Sequence, residues 1–158
     1  MSAGPATLTV NDRPVPLALV PDDERLLDTL RWRLGLRGTK EGCRAGSCGS
    51  CTVLVDGVSR LSCLALTHEL EGRAVITIEG AERDPIARQV QAAFVETGAL
   101  QCGYCTPGFV LAIAGALREV GPGLSTPDLL EGLGGNLCRC TGYAAILRAA
   151  ERARAGLR

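Results

Sequence analysis

The 158-residue sequence predicts an α+β protein whose strands come first and whose helices come last. Three observations point there. Short apolar runs separated by turn residues fill positions 7–80, and helix-length segments opened by proline fill the remainder. The eight cysteines also divide, into Cys43, Cys48, Cys51 and Cys63 and then Cys102, Cys105, Cys138 and Cys140, one group per half. Residues 1–80 and 81–158 therefore read as two small domains. The boundary falls near residues 79–84, with no long linker, low-complexity segment or internal repeat.

From Thr7 the run TLTVNDRPVPLALV gives two short strands around Asn11 and Asp12, a pair suited to a hairpin turn. PDDERLLDTLRWRLG follows, with Leu26, Leu27, Leu30 and Leu34 at helical spacing, Asp22 or Asp23 as the expected cap and Gly35 as the stop. Strand-like runs return at TVLVDG, VSRLSCLAL and AVITIEG, the last being Ala74 to Gly80. Beyond them Asp84 and Pro85 open a helix that Gly98 should end, and Thr106 and Pro107 open a second, ended by Gly121. Thr126 and Pro127 open a short third, and Thr141 stands where it can cap a fourth, GYAAILRAAERARA.

Aromatic residues are only 3% of the chain although 46% is hydrophobic, so neither half has many large side chains with which to fill a core. That leaves a place for a second source of cohesion. Seventeen basic residues balance seventeen acidic ones, and the absence of a basic stripe argues against nucleic acid as a partner. The N-terminus, MSAGPATLTV, has neither a positive leader nor a sustained apolar core, and no later run is long enough to span a bilayer. The expectation is a cytoplasmic protein that is not itself addressed for export. In a reducing compartment its cysteines serve metal or redox chemistry rather than disulfides.

The first group, in EGCRAGSCGSCTVLVDG, is spaced C-x4-C-x2-C-x11-C, and its start is the plant-type ferredoxin arrangement for a [2Fe-2S] cluster. Each tetrahedral iron of such a cluster shares two sulfides with its neighbour and has two positions left, so the pair needs four thiolates. Cys43, Cys48 and Cys51 come from a tight loop and Cys63 from a neighbouring strand end. Gly42, Gly46 and Gly49 are expected to take positive φ and to bring N–H groups close to sulfur. The second group is spaced C-x2-C-x32-C-x-C, with QCGYC ahead of one helix and GNLCRC ahead of another, where the positive helix ends favour thiolates. A second [2Fe-2S] cluster fits there. A zinc ion held by four cysteines fits the spacing as well, and a thioredoxin-like CxxC pair is disfavoured because no βαβ pattern surrounds it.

Other conspicuous residues have ordinary readings. His68 reads as a surface or capping residue, Trp32 as helix packing, and Tyr104 and Tyr143 as covers that keep water from the second group. Arg139 reads as charge compensation or solvated charge, and Lys40 and Arg44 as solvated charge near the first loop or as a guide for an electron partner.

Taken together, GCRAGSCGSCTVLVDG, GALQCGYCTPGFVLA and GNLCRCTGYAAILRA resemble the small iron-sulfur subunit of the molybdenum hydroxylases, the group of xanthine dehydrogenase, aldehyde oxidoreductase and carbon monoxide dehydrogenase. The resemblance runs from about Thr7 to Ala149. It implies an N-terminal β-grasp ferredoxin-like domain followed by a four-helix iron-sulfur-binding domain, and two [2Fe-2S] clusters. Cys43, Cys48, Cys51 and Cys63 would hold the outer cluster. Cys102, Cys105, Cys138 and Cys140 would hold the inner one, beside a molybdenum-pterin cofactor that Gln101 and Cys140 contact. The implied partner is a molybdenum-cofactor-binding large subunit, and an FAD-binding medium subunit is left open. The implied work is to carry electrons from the molybdenum site, where substrate is hydroxylated, to a flavin subunit or another external acceptor. No substrate chemistry is expected on this chain, which has one histidine, no phosphate loop and no Ser-His-Asp set. The rival readings are a zinc-stabilised interaction module without redox activity and a free-standing two-cluster ferredoxin.

Overall fold

The computed structural model describes residues 6–157. The reading of Met1 to Pro5 as part of a leaderless N-terminus lies outside the described residues. Strands β1 (Thr7–Val10) and β2 (Arg13–Pro16) form the expected hairpin, paired in register with Leu8 opposite Val15. Asn11 and Asp12 turn it with φ of 49° and 64°, the left-handed pair that a two-residue hairpin loop requires. Strands β3 (Thr52–Val55), β4 (Val58–Leu61) and β5 (Ala74–Ile76) complete one sheet in the order β2-β1-β5-β3-β4. The β1–β5 pair is parallel and the other pairs are antiparallel.

The first helix departs from expectation. Regular α geometry begins only at α1 (Leu26–Asp28) and passes at once into a π-helical turn, Thr29–Arg33. Neither Asp22 nor Asp23 caps it, because the first N–H groups find partners elsewhere. Those of Leu26 and Leu27 donate to the carbonyls of Ala65 and Ser62, at 2.9 and 3.0 Å. The wider turn lets buried Thr29 bond both Glu24 and Thr67, at 2.7 and 2.8 Å, which ties the helix to the segment that carries Cys63. Trp32 does not pack. It is 62% exposed, with the guanidinium groups of Arg31 and Arg37 at 5.5 and 6.0 Å from its ring. The run VSRLSCLAL is strand only as far as Leu61, after which a turn delivers buried Cys63.

Helices α2 (Pro85–Glu96), α3 (Thr106–Val120), α4 (Thr126–Gly132) and α5 (Ala144–Ala155) follow the last strand. Asp84 caps α2 by accepting from the Ala87 N–H at 2.9 Å, and Pro85 occupies the first turn as expected. Ser125, not Thr126, caps α4, and Tyr143 rather than Thr141 precedes α5. Among the described residues no helix is long and apolar enough to cross a membrane.

One face of the sheet packs on α1 through Leu8, Val10, Leu26, Leu30, Val53 and Val75. Leu54 points the other way, into the core of the helices beside Phe109, Val110 and Ile113. Strand β3 is therefore buried at all four positions, and its unbroken apolar character follows from having neighbours on both faces. Helix α3 lies close against the sheet. A Cβ on Gly115 would come within 2.1 Å of Ser59 Oγ, which donates to the Leu111 carbonyl at 3.2 Å. These contacts place the start of α3, and the cysteines before it, next to the loop that leads into β3.

Candidate metal centres

The first cysteine loop wraps its thiols in backbone N–H groups. Those of Ala45 and Ser47 donate to Cys43 Sγ at 3.3 and 3.2 Å, and that of Cys43 donates to Cys48 Sγ at 3.4 Å. The Ala45 amide is the main reason that the Cys43 thiol falls to a pKa of about 7, helped by Cys48 and the Ser47 amide. Gly46 and Gly49 take the expected positive φ, but Gly42 does not. Gly42 is needed for room, since a Cβ there would sit 2.6 Å from Cys48 Sγ. Cys51 and Cys63 close the group from below the loop. Both are buried against Leu27, and burial followed by the neighbouring Cys63 thiol pushes Cys51 up to about 11.

The second group is assembled from two loops. QCGYC leads into α3 and GNLCRC lies ahead of α5, and the fold brings Cys140 Sγ to 3.5 Å from Cys102 Sγ. That is far beyond the ~2.05 Å of a disulfide and close to the ~3.8 Å between two thiolates on one tetrahedral metal. Cys105 and Cys138 form the other neighbouring pair. Burial, and then Cys138, raise the Cys105 thiol to about 12. Burial opposes ionisation of Cys138 too, yet the Thr141 hydroxyl and N–H, which donate to its sulfur at 3.1 and 3.4 Å, bring it down to about 7. The Thr141 hydroxyl thus donates to Cys138 sulfur and also accepts from the Tyr143 N–H at 3.2 Å, one position short of capping the first turn of α5. Cys140 is raised, chiefly by its contact with Cys102.

All eight thiols are free, and in both groups they meet in twos: Cys43 with Cys48, Cys51 with Cys63, Cys102 with Cys140, Cys105 with Cys138. A pair of irons needs two thiolates at each end, so the donor set fits a dinuclear cluster in each group. The thiols held up, Cys51 in the first group and Cys105 and Cys140 in the second, would lose their protons near neutral pH on binding metal, which supplies the opposing positive charge.

The two groups are neighbours. The Leu137 N–H donates to the Cys48 carbonyl at 3.0 Å, the buried Asn136 amide to the Gly49 carbonyl at 3.1 Å, and Tyr104 Oη to the Glu41 carbonyl at 2.5 Å. Tyr143 does shield its group. Its hydroxyl accepts from the Cys138 N–H at 3.0 Å while its ring packs edge-on against Phe109. Around the Cys102–Cys140 contact, Gln101, Cys102, Arg139 and Cys140 are all exposed, as are the neighbouring Leu100 and Leu137, at 46% and 51%. Lys40 reaches the Arg37 carbonyl, and Arg44 pairs with Asp28 and Glu41 beside the first loop.

Comparison with known proteins agrees with this arrangement. Residues 24–92 match the family described as a 2Fe-2S iron-sulfur cluster binding domain, and residues 77–151 match a [2Fe-2S] binding domain. The chain is 44% identical over 147 residues to a probable xanthine dehydrogenase subunit of Bacillus subtilis, covering 93% of this chain and 83% of that one. It is 42% identical over 140 residues to the xanthine dehydrogenase iron-sulfur-binding subunit of Escherichia coli O157:H7, covering 88% and 87%. The chain belongs to the small iron-sulfur subunits of the molybdenum hydroxylases. Among solved structures of this family, quinoline 2-oxidoreductase from Pseudomonas putida 86 superposes with a TM-score of 0.79 at 38% identity, over 98% of both chains. Aldehyde oxidoreductase from Desulfovibrio desulfuricans superposes with a TM-score of 0.84 at 35% identity, over 97% of this chain and 17% of that larger one. The α+β architecture is thus the family's own.

Asn136, Leu137 and the sulfur-facing role of Thr141 were not legible in the sequence of this family member. Asn136 and Leu137 lie just ahead of Cys138 in GNLCRC, but their partners lie 87 and 89 residues away.

Proposed function

We propose that this subunit carries two [2Fe-2S] clusters and relays electrons from a molybdenum-pterin site on a partner large subunit to a flavin subunit or another external acceptor. Cys43, Cys48, Cys51 and Cys63 would hold the outer cluster, and Cys102, Cys105, Cys138 and Cys140 the inner one. In this reading residues 1–80 are a β-grasp ferredoxin-like domain and residues 81–158 a four-helix domain. The pairing of thiols in twos within both groups is the observation that carries it. When bound, each cluster supplies a site that takes up and gives back one electron.

The chain's own residues do the rest. The amides of Ala45 and Ser47, and the hydroxyl and amide of Thr141, point hydrogen at sulfur and so favour the added negative charge of a reduced centre. Leu27, Phe109 and Tyr143 limit water around the buried thiols. The exposed residues Gln101, Leu137 and Cys140 suit contact with the large subunit, where Gln101 and Cys140 would meet the pterin. A cytoplasmic setting suits eight reduced thiols.

Purification from native cells tests the reading. The expected result is co-purification with a larger chain that contains molybdenum and pterin, with or without a flavin chain. Recovery as a lone monomer with no molybdenum-containing companion would refute the subunit role.

A further inference from the structure

The first cysteine loop has two chemically distinct sides. Its amide hydrogens at Cys43, Ala45 and Ser47 face sulfur. Its carbonyls at Glu41, Cys48 and Gly49 accept from the helical half, from Tyr104 Oη, the Leu137 N–H and Asn136 Nδ2. Two of these donors are side chains. Tyr104 lies between Cys102 and Cys105, and Asn136 two residues ahead of Cys138, so each side chain belongs to a loop that carries thiols of the second group. Asn136 is only 7% exposed and sits where a Cβ on Gly49 would come within 2.4 Å of its nitrogen. The Tyr104 ring, by contrast, is 47% exposed, so the residue's most specific contact is the hydroxyl's short bond to Glu41.

We propose that Tyr104 and Asn136 are positioning residues that fix the first cysteine loop against the second thiol group, and thereby set how readily an electron crosses between the two clusters. The proposal rests on the two-cluster reading above. Electron tunnelling falls steeply with separation, and the loop's own amide bonds run to its own sulfurs, so they shape the loop without fixing its distance from the second group. Side chains reaching from one group's loops to the other's backbone hold that separation. Outer partners of metal ligands have large effects when lost, and Tyr104 and Asn136 act one step further out, on the Glu41 and Gly49 carbonyls of the loop that carries the thiols.

The test compares Tyr104→Phe, Tyr104→Leu and Asn136→Ala in the assembled complex. Iron and sulfide content is checked first, followed by low-temperature EPR of the fully reduced protein, in which two nearby paramagnetic clusters split one another's signals. Rapid freezing then gives the rate at which the outer cluster is reduced after the inner one. Tyr104→Phe should keep both clusters, alter the splitting and slow the transfer by about tenfold, as Tyr104→Leu does. Wild-type splitting and rate in Tyr104→Phe would overturn the proposal, including when Tyr104→Leu differs, because the ring would then act only as a cover. If Asn136→Ala loses the first cluster, Tyr104→Phe decides alone. A wild-type complex without two [2Fe-2S] signals would also overturn the proposal, but it does so through the two-cluster reading and before any variant is made.

Discussion

The two cysteine groups bring four thiols together by opposite routes. The first takes three of its four from nine consecutive residues, Cys43 to Cys51, and surrounds them with amides of the same loop. The second joins two pairs separated by 32 residues and relies on α3 and the loop before α5 to bring them together. A contiguous loop makes the site from local conformation, whereas the split group makes it from packing. The difference predicts how each one fails.

The largest effect expected is at Cys48. If the proposed ligand set is right, replacing it with serine removes one of four ligands from the contiguous loop, and the first cluster and the order of that loop should be lost together. The second group keeps its own four thiols and its own helices. EPR of the complex should therefore retain one [2Fe-2S] signal and lose the other. Survival of both signals would show that the ligand set is wrong.

Next comes the seam between the groups. A Cβ on Gly108 would lie 2.3 Å from the Gly49 carbonyl oxygen and 3.1 Å from Ser50 Cα, and no rotamer change relieves a clash with backbone. Gly108→Ala should cost about 1–3 kcal/mol and lower the melting temperature. Gly132→Ala, where a Cβ meets nothing within 4 Å, is the control and should leave it unchanged or higher. Equal behaviour of the two variants would show that the groups are not held together at this point.

The smallest effect sharpens the comparison at a single sulfur. In the metal-free chain Cys43 owes its low pKa of about 7 mainly to backbone, and Cys138 owes its own largely to the Thr141 side chain. Thr141→Val should raise the Cys138 pKa, leaving less thiolate near neutral pH. Its alkylation rate there should fall about threefold while that of Cys43 stays constant. An unchanged Cys138 rate would mean that burial and the remaining amides alone set its acidity.

Legibility in the sequence followed the same division. The spacing of Cys43, Cys48 and Cys51 is a property of one loop and could be read directly, as could the Asn11–Asp12 hairpin and the Asp84–Pro85 helix start. What eluded the sequence was long-range. The carbonyls of Ser62 and Ala65 replace an aspartate cap on α1, and Thr29 turns the helix into a π turn to reach Thr67. Thr141 looked like a cap because threonine before a helix often is one. Its hydroxyl accepts from the Tyr143 N–H ahead of α5 and donates to Cys138, and only the second contact had no signal in the sequence. The exposure of Trp32 did have a signal, because at helical spacing it falls on the face opposite Leu26, Leu27, Leu30 and Leu34, where Arg31 and Arg37 lie near its ring.

The central claim is that both groups hold iron in pairs. Iron, zinc and acid-labile sulfide measured on the natively purified complex, together with EPR after reduction, test it most directly. The account predicts about four irons and about four sulfides per copy of this chain, with two distinguishable [2Fe-2S] signals. About two zinc ions per chain, no sulfide and no EPR signal would contradict it.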